Sequence, residues 1–187
     1  SDVCSSDLTT DPDTALRAAV RAFQESGCQA VKLEGDERVA PIVRRLIENG
    51  IPVMAHIGLT PQSVHQLGGY YRHGRTAPEV ERLVRSAKAL EEAGAFAIVL
   101  ECVVEELSTE ITRELRIPTI GIGSGPGCAG QVLVINDLIG LSLTAPPSFA
   151  RPRANVAALI ERCAREFIDD VRGADRNPPR SEEHTSE

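Results

Sequence analysis

Apolar positions along the chain follow two alternating rhythms, short continuous runs and helical three-four spacings, separated by polar residues and glycines. Asp11-Pro12-Asp13 offers a capping carboxylate and then a proline at the first helical position, so a helix is predicted from there to about Ser26, stopped by Gly27. Residues 28–33 (CQAVKL) read as a short strand, 38–48 as a helix ended by Asn49-Gly50, and 51–57 (IPVMAHI) as the next strand. Residues 58–76 form a long irregular stretch containing GGYYRHGR, and loops of that length in compact domains usually serve function. A helix over 78–93 closes at Gly94, and 95–100 (AFAIVL) is the continuous apolar run of a strand covered on both faces. A helix over 105–115, a strand over 117–122 (IPTIGI), a glycine-rich loop over 123–130, a short strand over 131–135 (QVLVI) and a final helix over 155–171 complete the pattern.

Strand and helix in alternation imply parallel strands joined by crossovers, an α/β fold. Five strands suit an open doubly wound sheet, and equally the last five strands of a (β/α)8 barrel; periodicity does not choose between them. A complete barrel typically needs about 250 residues, and this chain has 187. With aromatics at 3% and no Trp, the core has to be built from Val, Ile, Leu and Ala. Residues 1–8 (SDVCSSDL) and 181–187 (SEEHTSE) are polar and aperiodic and read as foreign-looking tails, leaving 9–180 as the domain.

The net charge of −7 argues against a nucleic-acid partner. No apolar run approaches the roughly 20 residues of a membrane span, and the polar start lacks the apolar centre of a signal peptide. Five cysteines without a CxxC pair argue against a disulfide framework or a zinc site, and read as reduced thiols of a cytoplasmic protein.

In both architectures the active site lies at the carboxyl ends of the strands. The predicted strands end in Lys32-Leu33-Glu34, in His56, in Glu101 and in Gly121–Gly125. Two carboxylates, an ammonium and an imidazole at one rim suit metal-assisted proton abstraction, with Glu101 after its apolar run as the general base. Each has a plainer alternative. Glu34 suits a helix cap or an ion pair with Lys32, two positions away on the same side. His56 suits a core histidine, and Glu101 a structural partner for an arginine. GIGSG is not a dinucleotide fingerprint, so its glycines are read as allowing a tight turn or close approach to a ligand.

The segments Val31-Lys-Leu-Glu-Gly35, His56-Ile-Gly-Leu-Thr-Pro-Gln62, Gly68-Gly-Tyr70 with Gly74-Arg75, Gly94 to Cys102 (GAFAIVLEC), Ile117 to Gly125 (IPTIGIGSG) and Gly130 to Val134 (GQVLV) together resemble the ketopantoate hydroxymethyltransferase family. The likeness covers roughly residues 11–173. It implies a (β/α)8 TIM barrel, here incomplete, with about the last five βα units present. It implies transfer of a hydroxymethyl group from 5,10-methylenetetrahydrofolate to 3-methyl-2-oxobutanoate, giving ketopantoate for pantothenate biosynthesis. It also implies bound Mg²⁺ and a cytoplasmic homo-oligomer, often a decamer. By position, Lys32 matches the oxo-acid-binding lysine, Glu34 the metal-site glutamate, Glu101 the proton acceptor and His56 a pocket-lining histidine that contacts substrate. The family's two metal-binding aspartates belong to earlier strands and have no match here, so the chain alone is expected to be an inactive fragment. Asn136-Asp137 stands where His-Asp is frequent, and Ser124 where alanine is usual. Two other readings remain open: another metal-dependent barrel enzyme that forms enolates from 2-oxo acids, such as a C–C lyase, and a non-catalytic oxo-acid or folate-binding module.

Overall fold

In the computed structural model, residues 11–59, 72–142 and 145–175 are described; both tails, and the Thr60–Gln62 and Gly68–Tyr70 parts of the quoted motifs, lie outside them. The elements run α1 (Pro12–Ser26), β1 (Val31–Glu34), a 3₁₀ turn (Glu37–Val39), α2 (Ala40–Glu48), β2 (Val53–Gly58), α3 (Ala77–Glu92), β3 (Ala97–Glu101), α4 (Glu105–Glu114), β4 (Thr119–Ile122), β5 (Gly130–Gln131), α5 (Ile135–Ile139) and α6 (Val156–Asp175). They divide into two compact units, Ser1–Val132 and Leu133–Glu187.

In the first unit the five strands are parallel and stand side by side in chain order, β1-β2-β3-β4-β5. A doubly wound sheet reverses its strand order at a switch point, whereas a barrel wall does not. The order therefore resolves the two architectures left open by periodicity: the sheet is an arc of a (β/α)8 barrel.

Local chemistry explains the element ends. Asp11 accepts hydrogen bonds from the amides of Asp13 (3.0 Å) and Thr14 (2.9 Å), capping α1. Gly27 ends it in the left-handed conformation. β1 to β4 begin two or three residues later than the apolar runs do. Ile51 donates its amide to Leu46 O at 3.1 Å and Ala95 donates to Leu90 O at 3.1 Å, while Gly50 and Gly94 donate to Ile47 and Glu91. This is the Schellman closure of α2 and α3. The first apolar residue of these two runs thus terminates a helix rather than opening a strand.

A larger departure concerns 131–135. Only Gly130 and Gln131 pair with β4, and Ile135–Ile139 is helical. After Val132 donates to Gly121 O at 3.0 Å the ladder stops. A short apolar run does not by itself distinguish strand from helix. In the second unit α6 carries apolar residues at 45–68% exposure, including Leu159, Ile160, Phe167, Ile168 and Val171.

Strand alternation sorts the side chains of the sheet. Val31 and Leu33 of β1, Val53, Ala55 and Ile57 of β2, and Ile98 and Leu100 of β3 join the core formed with α1 to α4. The intervening residues, Lys32 and Glu34, Met54 and His56, Val99 and Glu101, belong to the opposite face. In a closed barrel that face lines the interior.

Candidate active site

Register brings the polar residues of this inner face to one height. Glu34 pairs with His56 across β1 and β2, and Gly58 pairs with Glu101 across β2 and β3. The imidazole of His56 lies between the two carboxylates. Its Nδ1 is 3.4 Å from Glu34 Oε1 and its Nε2 is 3.1 Å from Glu101 Oε2. Both contacts are close but lack the alignment of full hydrogen bonds, and the ring is only 2% exposed. Lys32 extends the row, with Nζ 3.4 Å from Glu34 Oε1 and half its side chain in solvent. Lys32, Glu34, His56 and Glu101, each singled out by its place at a strand end, therefore form one continuous chain of contacts.

The charges respond to this arrangement. Contact with His56 is the main cause that holds the Glu34 carboxyl below its usual range; burial opposes it, and the charges of His56 and Lys32 assist. Burial disfavours a charged His56, but the contacts with Glu101 and Glu34 outweigh it, so the imidazole titrates above its usual value. Burial first, and the Glu101 charge second, push the Cys102 thiol up to about 11.

Glu34 Oε2 is buried with no hydrogen-bond partner among the described residues. An unpaired, deprotonated carboxylate oxygen is the donor a hard cation takes, and Mg²⁺ commonly uses one or two carboxylates plus substrate oxygens and water. The residues thus fit one edge of a magnesium site. Among the described residues, no three His, Cys, Asp or Glu side chains close a complete cation cage.

The backbone around Glu101 is tightly held. Its carbonyl accepts the Leu59 amide at 2.8 Å, and Gly58, at φ 96°, passes so close to that carbonyl that a Cβ there would overlap it. His73 and Ser124 complete this frame, and neither is identified as a site residue by sequence. His73, 3% exposed, donates its amide to Cys102 O at 2.8 Å and accepts from the Val104 amide at 3.0 Å. Its place in GGYYRHGR is the only sequence signal for it. Ser124, which in sequence is only a mild variation, is fully buried. The glycine-rich loop also has an internal cause. Side chains at Gly125 and Gly127 would collide with Glu105 and Thr109 of α4, so these glycines serve close packing on the neighbouring helix.

Residues 1–178 match the family described as ketopantoate hydroxymethyltransferase. The chain is 53% identical over 162 residues to the 3-methyl-2-oxobutanoate hydroxymethyltransferase of Acaryochloris marina, covering 86% of this chain and 62% of that protein. It is 49% identical over 177 residues to that of Chloroflexus aurantiacus, covering 95% and 62%. For the Anaeromyxobacter dehalogenans protein the figures are 47% over 160 residues, 86% and 52%. The chain therefore spans somewhat more than half the length of these relatives. With the inner-face residues and the barrel-type strand order, these matches identify the chain as a member of the ketopantoate hydroxymethyltransferase family.

Proposed function

We propose that this chain supplies the Lys32, Glu34, His56 and Glu101 side of a site that transfers a hydroxymethyl group from 5,10-methylenetetrahydrofolate to 3-methyl-2-oxobutanoate, giving ketopantoate. The observation that carries the reading is the unbroken row of contacts from Lys32 to Glu101 at the carboxyl ends of three adjacent strands. The hydroxymethyltransferase activity for which these relatives are named favours it over a lyase or a binding module.

Lys32, half in solvent, is suited to bind the carboxylate of the oxo acid as a point charge. Glu34, ionised and with a free buried oxygen, would hold Mg²⁺. When bound, the metal supplies Lewis-acid polarisation of the ketone, which acidifies the neighbouring C–H. Glu101 accepts that proton on a carboxylate oxygen, and the resulting carbon nucleophile forms a C–C bond to the one-carbon unit; water supplies the hydroxyl oxygen, and both C–N bonds to that carbon break as tetrahydrofolate leaves. His56 holds Glu101 and Glu34 apart and neutralises charge between them.

The same reading takes the working enzyme to be a cytoplasmic homo-oligomer. Cys28, Cys102, Cys128 and Cys163 are free thiols, and among the described residues no helix is long and apolar enough to cross a membrane. A polypeptide of these 187 residues alone is expected to form no ketopantoate, because the two aspartates that complete the metal site in the family have no match in it. Mg²⁺-dependent product formation by the purified chain would refute that part. The main test uses a barrel of the relatives' full length carrying this segment. Proton exchange at C3 of 3-methyl-2-oxobutanoate in D₂O, followed by NMR, is expected to fall at least about 100-fold in E101Q while oxo-acid binding persists. Unchanged exchange in E101Q would remove Glu101 from the role of base.

A further inference from the structure

The end of β3 contains the one non-glycine residue with positive φ among the described residues, Cys102 at φ 52°. It directly follows Glu101 and belongs to the GAFAIVLEC segment that carries the family likeness. A left-handed conformation at such a residue costs energy and persists only where its surroundings impose it. The hydrogen bonds show what imposes it. A residue of a regular strand offers its amide and its carbonyl to the same neighbouring strand. Cys102 divides them. Its amide donates to Ile122 O of β4 at 2.9 Å, whereas its carbonyl accepts from the amide of His73, in the segment between β2 and α3, at 2.8 Å. Val103 then forms a parallel bridge with His73, and the Val104 amide donates to His73 O at 3.0 Å. Before the turn, Glu101 O is held by the Leu59 amide at 2.8 Å. All of these bonds run from backbone to backbone.

The turn changes which face the chain presents. By alternation Val99, Glu101 and then Val103 would follow one another on the inner face. Val103 is instead fully buried in the apolar cluster of the opposite face, together with Leu100 and Leu107. The inner-face series of β3 therefore stops at Glu101. We propose that Cys102 is a positioning residue for Glu101: its left-handed turn sends Val103 into the core and leaves the Glu101 carboxylate as the last group at the rim, against His56 Nε2 at 3.1 Å. The role belongs to the backbone conformation at this position and not to the thiol. A side chain that resists positive φ drives the strand on in extended form, which brings Val103 round to the inner face and turns the carboxylate from the imidazole.

The inference deepens the reading of Glu101 as proton acceptor and rests on it for its purpose, but its test needs no turnover. Failure here leaves that reading standing, and failure of the C3 exchange experiment leaves the turn's geometry untouched. Two substitutions separate conformation from packing. C102G removes the buried side chain and adopts positive φ without penalty. C102V keeps an apolar side chain, but its β-branch makes positive φ strongly unfavourable. The full 187-residue chain, labelled with ¹³C and ¹⁵N, is compared by NMR as wild type and both variants. C102G is expected to keep the cross-peaks between the His56 ring protons and the Glu101 γ-methylene, and C102V to lose them. Both variants are expected to melt at lower temperature, one from a cavity and the other from strain, so stability alone does not separate the two roles. A side chain that serves packing alone would be replaced better by valine than by glycine. Retention of the cross-peaks in C102V, or their loss in C102G, would therefore overturn the proposal. If C102V folds too poorly to measure, C102A takes its place. Alanine also resists positive φ, so its cross-peaks are expected to be at least about twofold weaker than those of C102G, and equal intensities would overturn the proposal.

Discussion

On the helix-covered face of the sheet, Leu33, Val53, Ala55, Ile98 and Leu100 are all fully buried within the apolar core. One residue over on the same strands, the opposite face presents Lys32, Glu34, His56 and Glu101. The backbone is shared, so alternation alone separates a face that stabilises the fold from one that concentrates charge. The first gains free energy from every buried methylene. The second places two carboxylates around one imidazole, an arrangement costly in desolvation.

Substitutions on the two faces should therefore fail differently. L100A opens a cavity on the dry face and is expected to cost about 2–5 kcal/mol, read as a lower urea midpoint and independent of pH between neutral and mildly acidic solution. H56L removes the group between the carboxylates and is expected to cost about 2 kcal/mol at neutral pH, less than a fully enclosed pair because the inner face is partly open. That cost should shrink in an E34Q background, where a single carboxylate remains facing the new leucine. A constant cost in both backgrounds would mean that His56 contributes packing alone.

A smaller effect is expected where the loop after β1 is fastened to α3. Glu37 accepts from Ser86 Oγ at 2.5 Å and from Arg85 at 2.9 and 3.1 Å. The Ser86 bond is the main cause that lowers its carboxyl below 4.5, with burial opposing and Arg85 assisting. A carboxyl depressed in the folded state stabilises above its unfolded value and loses that contribution as pH falls through the folded one. E37Q should therefore cost about 1 kcal/mol at pH 7, with the deficit narrowing below pH 4.5. Denaturation at a series of pH values checks both the size and the sign. Smallest in energy is the contrast between thiols. Cys102 is buried with its thiol raised to about 11, whereas Cys163 on α6 is exposed. Alkylation at pH 8 should label Cys163 first and Cys102 only on unfolding, as mass spectrometry would report.

Much of this contrast was legible in the sequence. AFAIVLE reads as a covered strand tipped by a carboxylate, and the β3 ladder ends on that residue, Glu101. The caps at Asp11 and Gly27 are local chemistry and were predicted from local residues. What escaped depends on pairing between distant segments. That His56 stands between Glu34 and Glu101 follows from strand register, which no single strand encodes. Ser124 becomes visible only when the loop after β4 lies against the end of β3. The helix at Ile135–Ile139 was missed because QVLVI satisfies a strand pattern over too few residues to test a helical one.

The central claim is that Glu34 and Glu101 serve one oxo acid held beside a divalent cation, with different tasks. The most direct test adds Mn²⁺ in place of Mg²⁺ to a barrel of the relatives' full length carrying this segment, and follows the ¹³C resonances of labelled 3-methyl-2-oxobutanoate. The account predicts strong paramagnetic broadening at C1 and C2 in the wild type and in E101Q, and its loss in E34A. Equal broadening in wild type and E34A, or none in either, would contradict it.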